Sequence, residues 1–145
     1  MSQRVSVHHF VANLTTRQYG PHPTSDLLGV DYIHDVPADT EFPRTLARVD
    51  LFTRFYLNGA KPTEFFVRVL WLDSPTPKLR RIGRYGPNLV SFQPNEAVHD
   101  HVFKVVNLRL AGAGRHRVLL LRKRTANWRG KRLAIIAQTH FTVER

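Results

Sequence analysis

The apolar positions of this chain recur at every second residue far more often than at every third or fourth, the pattern of strands whose side chains point in turn to opposite faces of a sheet. Leu46 to Leu57, LARVDLFTRFYL, sets Val49, Leu51, Thr53, Phe55 and Leu57 on one face and Asp50, Phe52, Arg54, Tyr56 and Asn58 on the other. Asn58-Gly59 begins a turn that Lys61-Pro62 closes, and Phe65 to Leu72 runs back with Phe65, Val67, Val69 and Trp71 on one face. The two runs predict a hairpin. A second hairpin is predicted from Val102 to Leu110 and His116 to Leu121, with Gly112 and Gly114 between them supplying the positive φ angles of the turn. Leu133 to Val143 follows, with Leu133, Ile135, Ala137, Thr139, Phe141 and Val143 on one face.

The rest of the chain reads as shorter strands between breakers. Ser6 to Leu14 predicts a first strand with Val7, His9 and Val11 on one side, and a short strand is expected around Val30 to Ile33. Leu79 to Tyr85 reads as a short edge strand that Arg80, Arg81 and Arg84 keep from pairing with other chains. Gly86-Pro87-Asn88 is expected to turn the chain into Leu89 to Phe92, and Gln93 to Asp100 to be a polar connection. About seven or eight short strands, with no amphipathic helix of ten or more residues, predict an all-β fold: a single antiparallel β-sandwich, Greek-key connections included, over residues 1–145.

Composition changes this picture through charge. The chain of 145 residues carries a net charge of +11 and no cysteine, so no disulfide, thiolate zinc site or cysteine nucleophile is available. Met1 to Asp73 has a net charge of −1 and Ser74 to Arg145 of +12. A field concentrated in one half points to an anionic partner, either an acidic protein surface or nucleic acid. Neither a signal peptide nor a run of about 18 apolar residues is present, so the expectation is a cytoplasmic protein with no membrane partner.

The candidate chemistry lies mainly in one loop. Arg122, Lys123, Arg124, Arg129, Lys131 and Arg132 surround Trp128, an arrangement in which cations meet phosphates and an aromatic ring stacks on an unpaired base. Lys78, Arg80, Arg81 and Arg84 form a second basic group, and one continuous groove results if both groups lie at the same end of the sandwich. Phe52, Tyr56, Phe66 and Leu70 fall on the alternate faces of their strands and, if those faces point outward, supply an apolar protein interface or a surface for homo-oligomerisation. His99 and His101 point the same way in an extended segment, the geometry of a two-nitrogen chelate, but no third ligand is recognisably spaced, so no metal or other cofactor is assigned. The sequence contains none of the G-x-S-x-G, H-E-x-x-H, G-x-x-x-x-G-K-[ST] or G-x-G-x-x-G patterns, and no catalytic residue is assigned.

Pro43 ahead of the strand Leu51 to Leu57, Asn107-Leu108-Arg109-Leu110 before Gly112 and Gly114, and the terminal Phe141-Thr142-Val143 carry a resemblance. Over Leu46 to Arg145 the chain resembles a family of uncharacterised bacterial β-sandwich proteins of similar length. The resemblance implies the same fold and brings no activity with it. The functional expectation is therefore a non-catalytic binding or assembly module whose basic half engages an anionic partner. The alternative is a nucleic-acid-binding protein using the Arg122 to Arg132 loop with Trp128, and a more distant one is a metal-dependent enzyme centred on His99 and His101.

Overall fold

The structure, a computed structural model, describes residues 4–13, 15–18, 25–28, 33–58, 62–123 and 133–145. Ten strands run in chain order: β1 (Arg4–Asn13), β2 (Thr15–Gln18), β3 (Ser25–Leu28), β4 (Ile33–Asp35), β5 (Arg44–Asn58), β6 (Thr63–Trp71), β7 (Arg81–Val90), β8 (Val98–Leu110), β9 (Gly114–Lys123) and β10 (Leu133–Glu144). A single 3₁₀ turn, Pro77–Leu79, precedes β7. One sheet has the order β1-β5-β8 and the other β4-β10-β9-β6-β7, while β2 and β3 pair as a separate hairpin. All pairings are antiparallel except that of β4 with β10.

The chain crosses between the two sheets from β5 to β6, back from β7 to β8, and again from β8 to β9. With β1, β5 and β8 facing β10, β9 and β6, this is the interleaving of an immunoglobulin-type β-sandwich. The expected all-β sandwich is thus the fold.

Alternation places the core. On β5, Val49, Leu51, Thr53 and Phe55 are buried, and on β6 so are Phe65, Val67, Val69 and Trp71, as their period of two predicts. Val118 and Leu120 of β9 and Phe141 and Val143 of β10 complete the five-stranded side, and Phe103, Val105, Leu108 and Leu110 of β8 the three-stranded one.

The two expected hairpins, Leu46–Leu57 with Phe65–Leu72 and Val102–Leu110 with His116–Leu121, do not form, because in each the second run crosses to the other sheet and pairs there. Four further readings of the chain are corrected along the strands. A bulge between Val7 and His9 means that Val7 and Phe10, three residues apart, pack against the core. The two strands expected at Leu79–Tyr85 and Leu89–Phe92 are one, β7, which begins only at Arg81 after the 3₁₀ turn, ends at Val90, and continues through Gly86-Pro87 as a bulge opposite Phe66. A bulge between Ile135 and Ala137 turns Ile136 toward the core and leaves Ile135 59% exposed. Finally, β8 begins at Val98, inside the stretch expected to be a polar connection, because Val98 to His101 pair with Thr53 to Tyr56. The strand expected around Val30 to Ile33 is met by β4, which begins at Ile33, while residues 30–32 lie outside the described set.

The two glycines of the β8–β9 turn do different work. Gly114 has φ +113°, a left-handed value that a side chain would strain. Gly112 instead makes room: a Cβ there would collide with Cζ2 of the buried Trp71, whose indole Nε1–H donates to the Ala113 carbonyl at 2.9 Å. Gly112→Ala is therefore expected to destabilise the fold by about 1–3 kcal/mol through overpacking, read as a lower urea midpoint with an unchanged slope.

Candidate functional site

Alternation that buries one side of the five-stranded sheet turns the other outward. Phe66, Arg68 and Leu70 of β6 stand opposite Leu121, Leu119 and Arg117 of β9, which in turn stand opposite Ile135, Gln138 and His140 of β10. On the far side of β6, Arg84 of β7 is directly opposite Arg68. Directly opposed side chains have Cβ atoms about 5 Å apart and diagonal neighbours about 7–8 Å apart. Arg84, Arg68 and Arg117 therefore form a short oblique row across three strands. Leu119 and Leu121 lie within this face at only 8% and 3% exposure.

The arginines of this row have no carboxylate partner among the described residues. Arg117 instead donates from Nε to Nε2 of His140 at 3.3 Å, an acceptor role open only to an unprotonated ring nitrogen. Three other arginines are matched with acids. Arg48 grips Asp50 through Nε and a terminal nitrogen at 2.6 and 2.9 Å, and Arg54 grips Asp100 at 2.8 and 2.9 Å. Arg115 binds Asp73 at 2.8 Å, and that contact together with the Arg115 backbone N–H holds the Asp73 carboxyl below its usual range. These acids thus pair with cations on the three-stranded sheet and at the β8–β9 turn, and among the described residues none pairs with the arginine row.

A cleft of about 270 Å³ opens on this face between Phe66, Arg68, Arg84, Gly86 and Leu133. Arg122 and Lys123 end β9 at the same end of the sheet, Arg122 opposite Phe65 and Ala134. The remaining loop residues singled out in the sequence, Arg124, Trp128, Arg129, Lys131 and Arg132, lie outside the described residues.

The second basic group is divided. Arg84 joins the row, whereas Lys78 and Arg81 line a different cleft. Arg81 is opposite Leu70, five residues along β6 from Phe65 and Arg122, a separation of about 17 Å, so the two basic groups sit toward opposite ends of one sheet. Arg80 is exposed at the end of the 3₁₀ turn, where its carbonyl accepts from the Trp71 N–H. Phe52 and Tyr56 are on the outer face of the three-stranded sheet and Phe66 and Leu70 on that of the five-stranded sheet, so the four do not share a surface. Arg68 was missed in the sequence because it is a lone cation in an apolar strand, and Arg117 because nothing in β9 sets it apart from Arg115, Arg122 and Lys123. Only the pairing of β6 with β7 and β9 reveals the row.

His99 and His101 do point the same way, their rings 6.2 Å apart and 20° from parallel. His99 Nδ1 lies 2.7 Å from the Glu96 carboxylate and His101 packs on Phe103 at 4.5 Å. Among the described residues no group of three or more histidine, aspartate or glutamate side chains is arranged to hold a metal. Burial, and then His99, push the His101 ring below the usual imidazole range. Burial does the same to His116, with the Gly114 carbonyl and Asp73 opposing it. His116 stacks on Phe141 at 4.7 Å, its Nδ1 bonds the Gly114 carbonyl at 2.9 Å, and its Nε2 has no hydrogen-bond partner among the described residues.

A pH dependence follows from these two rings. The unfolded chain binds protons on them near pH 6.5 and the folded chain only at lower pH, so acid favours unfolding. The melting temperature is expected to hold level above about pH 7 and to fall as the pH drops below about 6.5. Melts across that range check this, and His116→Phe should remove part of the slope.

No helix among the described residues is long and apolar enough to cross a membrane. No protein-family model matches the sequence, and no curated protein matches it. Among solved structures, the chain is similar to the Pseudomonas fluorescens alkylpurine DNA glycosylase AlkC, bound to DNA containing an abasic site analog, at a TM-score of 0.53 and 11% identity. That likeness covers 97% of this chain and 30% of the glycosylase, so the chain spans less than a third of that protein's length, and the likeness is one of fold. An immunoglobulin-like protein from Pseudomonas aeruginosa is similar at a TM-score of 0.45 and 13% identity, over 97% of both chains.

Proposed function

We propose that this chain is a non-catalytic binding module that holds an acidic protein surface against the outer face of its five-stranded sheet. One observation carries the reading: Arg68 and Arg84 oppose each other across β6 and β7 without a carboxylate partner among the described residues. Like charges so placed destabilise a sheet, and a bound anion would relieve the repulsion. The surroundings favour a protein as the anion. Arginine beside the half-buried Phe66 suits a protein interface, whose centre is enriched in arginine and aromatics and depleted in lysine.

A second reading, binding of single-stranded nucleic acid, draws on the cleft in which the Phe66 ring adjoins Arg68 and Arg84. An aromatic ring beside two guanidinium groups suits a base and its phosphates. Retention of the protein on immobilised poly-L-glutamate and on single-stranded DNA, each across a salt series, tests the two. Stronger retention on polyglutamate at matched ionic strength supports the first reading, and stronger, steeply salt-dependent retention on DNA selects the second. Failure to bind either at low salt would overturn both.

A further inference from the structure

At the other end of β7 the sandwich is open on its side, and the residues around the opening differ from those of the arginine row. Here β7, the edge of the five-stranded sheet, comes against β8, the edge of the three-stranded sheet, with no ladder between them. A cleft of about 470 Å³ lies at this junction. Its apolar lining is Pro43 before β5, Leu79 of the 3₁₀ turn, Ile82 of β7 and Ala111 after β8. Leu79 is 47% exposed, and Ile82 packs against the core at the inner side. Three cations complete the lining: Lys78, Arg81 and Arg109. All three are exposed, none has a carboxylate partner among the described residues, and no acid lines the cleft.

We propose that this cleft is a binding site for a small amphiphilic anion, with a carboxylate or phosphate head held by Lys78, Arg81 and Arg109 and an apolar body laid over Leu79, Ile82, Pro43 and Ala111. The volume lies within the range of about 300–1,000 Å³ usual for small-molecule sites, which are apolar pockets with a few converging polar groups. Charge complementarity selects the head, since a neutral ligand leaves three cations unmatched and a second cation would be repelled. The apolar lining selects the body, since a bare anion leaves Leu79 facing water. Arg81 and Arg109 belong to different sheets, so the head joins the two edges that the fold leaves unpaired. This site is separate from the arginine row and does not depend on the function proposed for that row.

Titration of the full chain with decanoate, decyl phosphate, decanol and acetate, each below its aggregation concentration and followed by calorimetry, tests the proposal. One molecule of decanoate or decyl phosphate is expected to bind per chain, the tighter of the two identifying the head, and decanol and acetate at least tenfold more weakly. The double variant Arg81→Gln/Arg109→Gln should weaken decanoate binding at least tenfold with an unchanged far-ultraviolet spectrum, and Leu79→Asn several-fold. Arg68→Glu/Arg84→Glu should leave it unchanged. Equal binding of decanol and decanoate, equal binding of acetate, or unaltered affinity in a folded Arg81→Gln/Arg109→Gln protein would overturn the proposal. If that double variant fails to fold, Leu79→Asn and Lys78→Gln decide it by the same criterion. A loss of decanoate binding in Arg68→Glu/Arg84→Glu equal to that in the cleft variants would also overturn it, by placing the ligand on the other face.

Discussion

Phe55→Ala is expected to cost about 3–5 kcal/mol out of the about 5–15 kcal/mol of an ordinary domain, and so to lower the urea midpoint markedly. Phe55 is fully buried, and its ring lies 5.0 Å from Phe65, 5.8 Å from Phe92 and 6.3 Å from Phe103, the last two edge to face. Phe65 and Phe103 also meet, at 5.7 Å. Phe55 and Phe103 come from the three-stranded sheet and Phe65 from the five-stranded one, so the cluster joins the two layers with no disulfide present. Alanine would leave a cavity among rigid rings held by separate strands, which limits collapse around it. Phe52→Ala, on the outer face of the same strand and half-buried, is expected to cost less than half as much. Urea unfolding of the two variants checks the pair, and equal losses would contradict the facing of β5.

The same strand shows why much of the fold was readable in advance. Over β5 and β6 the side-chain period is uninterrupted, and burial follows it except at Asp50, which is buried on the outer face in its bond with Arg48. Reading failed where the ladder departs from that period. Gly86-Pro87 has the composition of a turn, yet β6 supplies partners on both sides of it, and the same dipeptide becomes a bulge within one strand. Ile135 and Ile136 are chemically alike, so only the bulge on β10 determines which of them meets the core. His99-Asp100-His101 looks like loop because it is polar, but Asp100 is satisfied by Arg54, 46 residues away, and His99 by Glu96.

Charge was readable in amount and not in arrangement. Whether an arginine is neutralised depends on an acid brought from elsewhere in the chain: Asp73 reaches Arg115 across 42 residues. The sequence singled out cations by their density along the chain, which favours loops. The row of Arg84, Arg68 and Arg117 draws one residue from each of three strands, and no window of sequence contains it. Density also suggested one groove where antiparallel connections place the two basic groups toward opposite ends of the sheet, because the 3₁₀ turn lies at one end of β6 and the β9–β10 connection at the other.

Reversing Arg84 should move stability and binding in opposite directions. Arg84→Glu replaces an opposed pair of like charges with an opposed pair of unlike ones, and such cross-strand pairs contribute about 0.2–1 kcal/mol. The melting temperature is therefore expected to rise slightly. Affinity for polyglutamate should fall at least tenfold at low salt, because Arg84 becomes repulsive and Arg68 is engaged by its new neighbour. The double variant Arg68→Glu/Arg84→Glu restores like-charge repulsion with the sign reversed. It should lose the gain in melting temperature while binding polyglutamate still more weakly. On single-stranded DNA the same series should lower the dependence of log affinity on log salt by about 0.7 for each phosphate no longer neutralised. Under the proposed function an anionic partner offsets the repulsion between Arg68 and Arg84, which a glutamate at position 84 would instead remove within the sheet. If Arg84→Glu were more stable and bound both polyanions as before, the row would be excluded as the binding surface. If it were less stable, the opposed placement of Arg68 and Arg84 would itself be wrong.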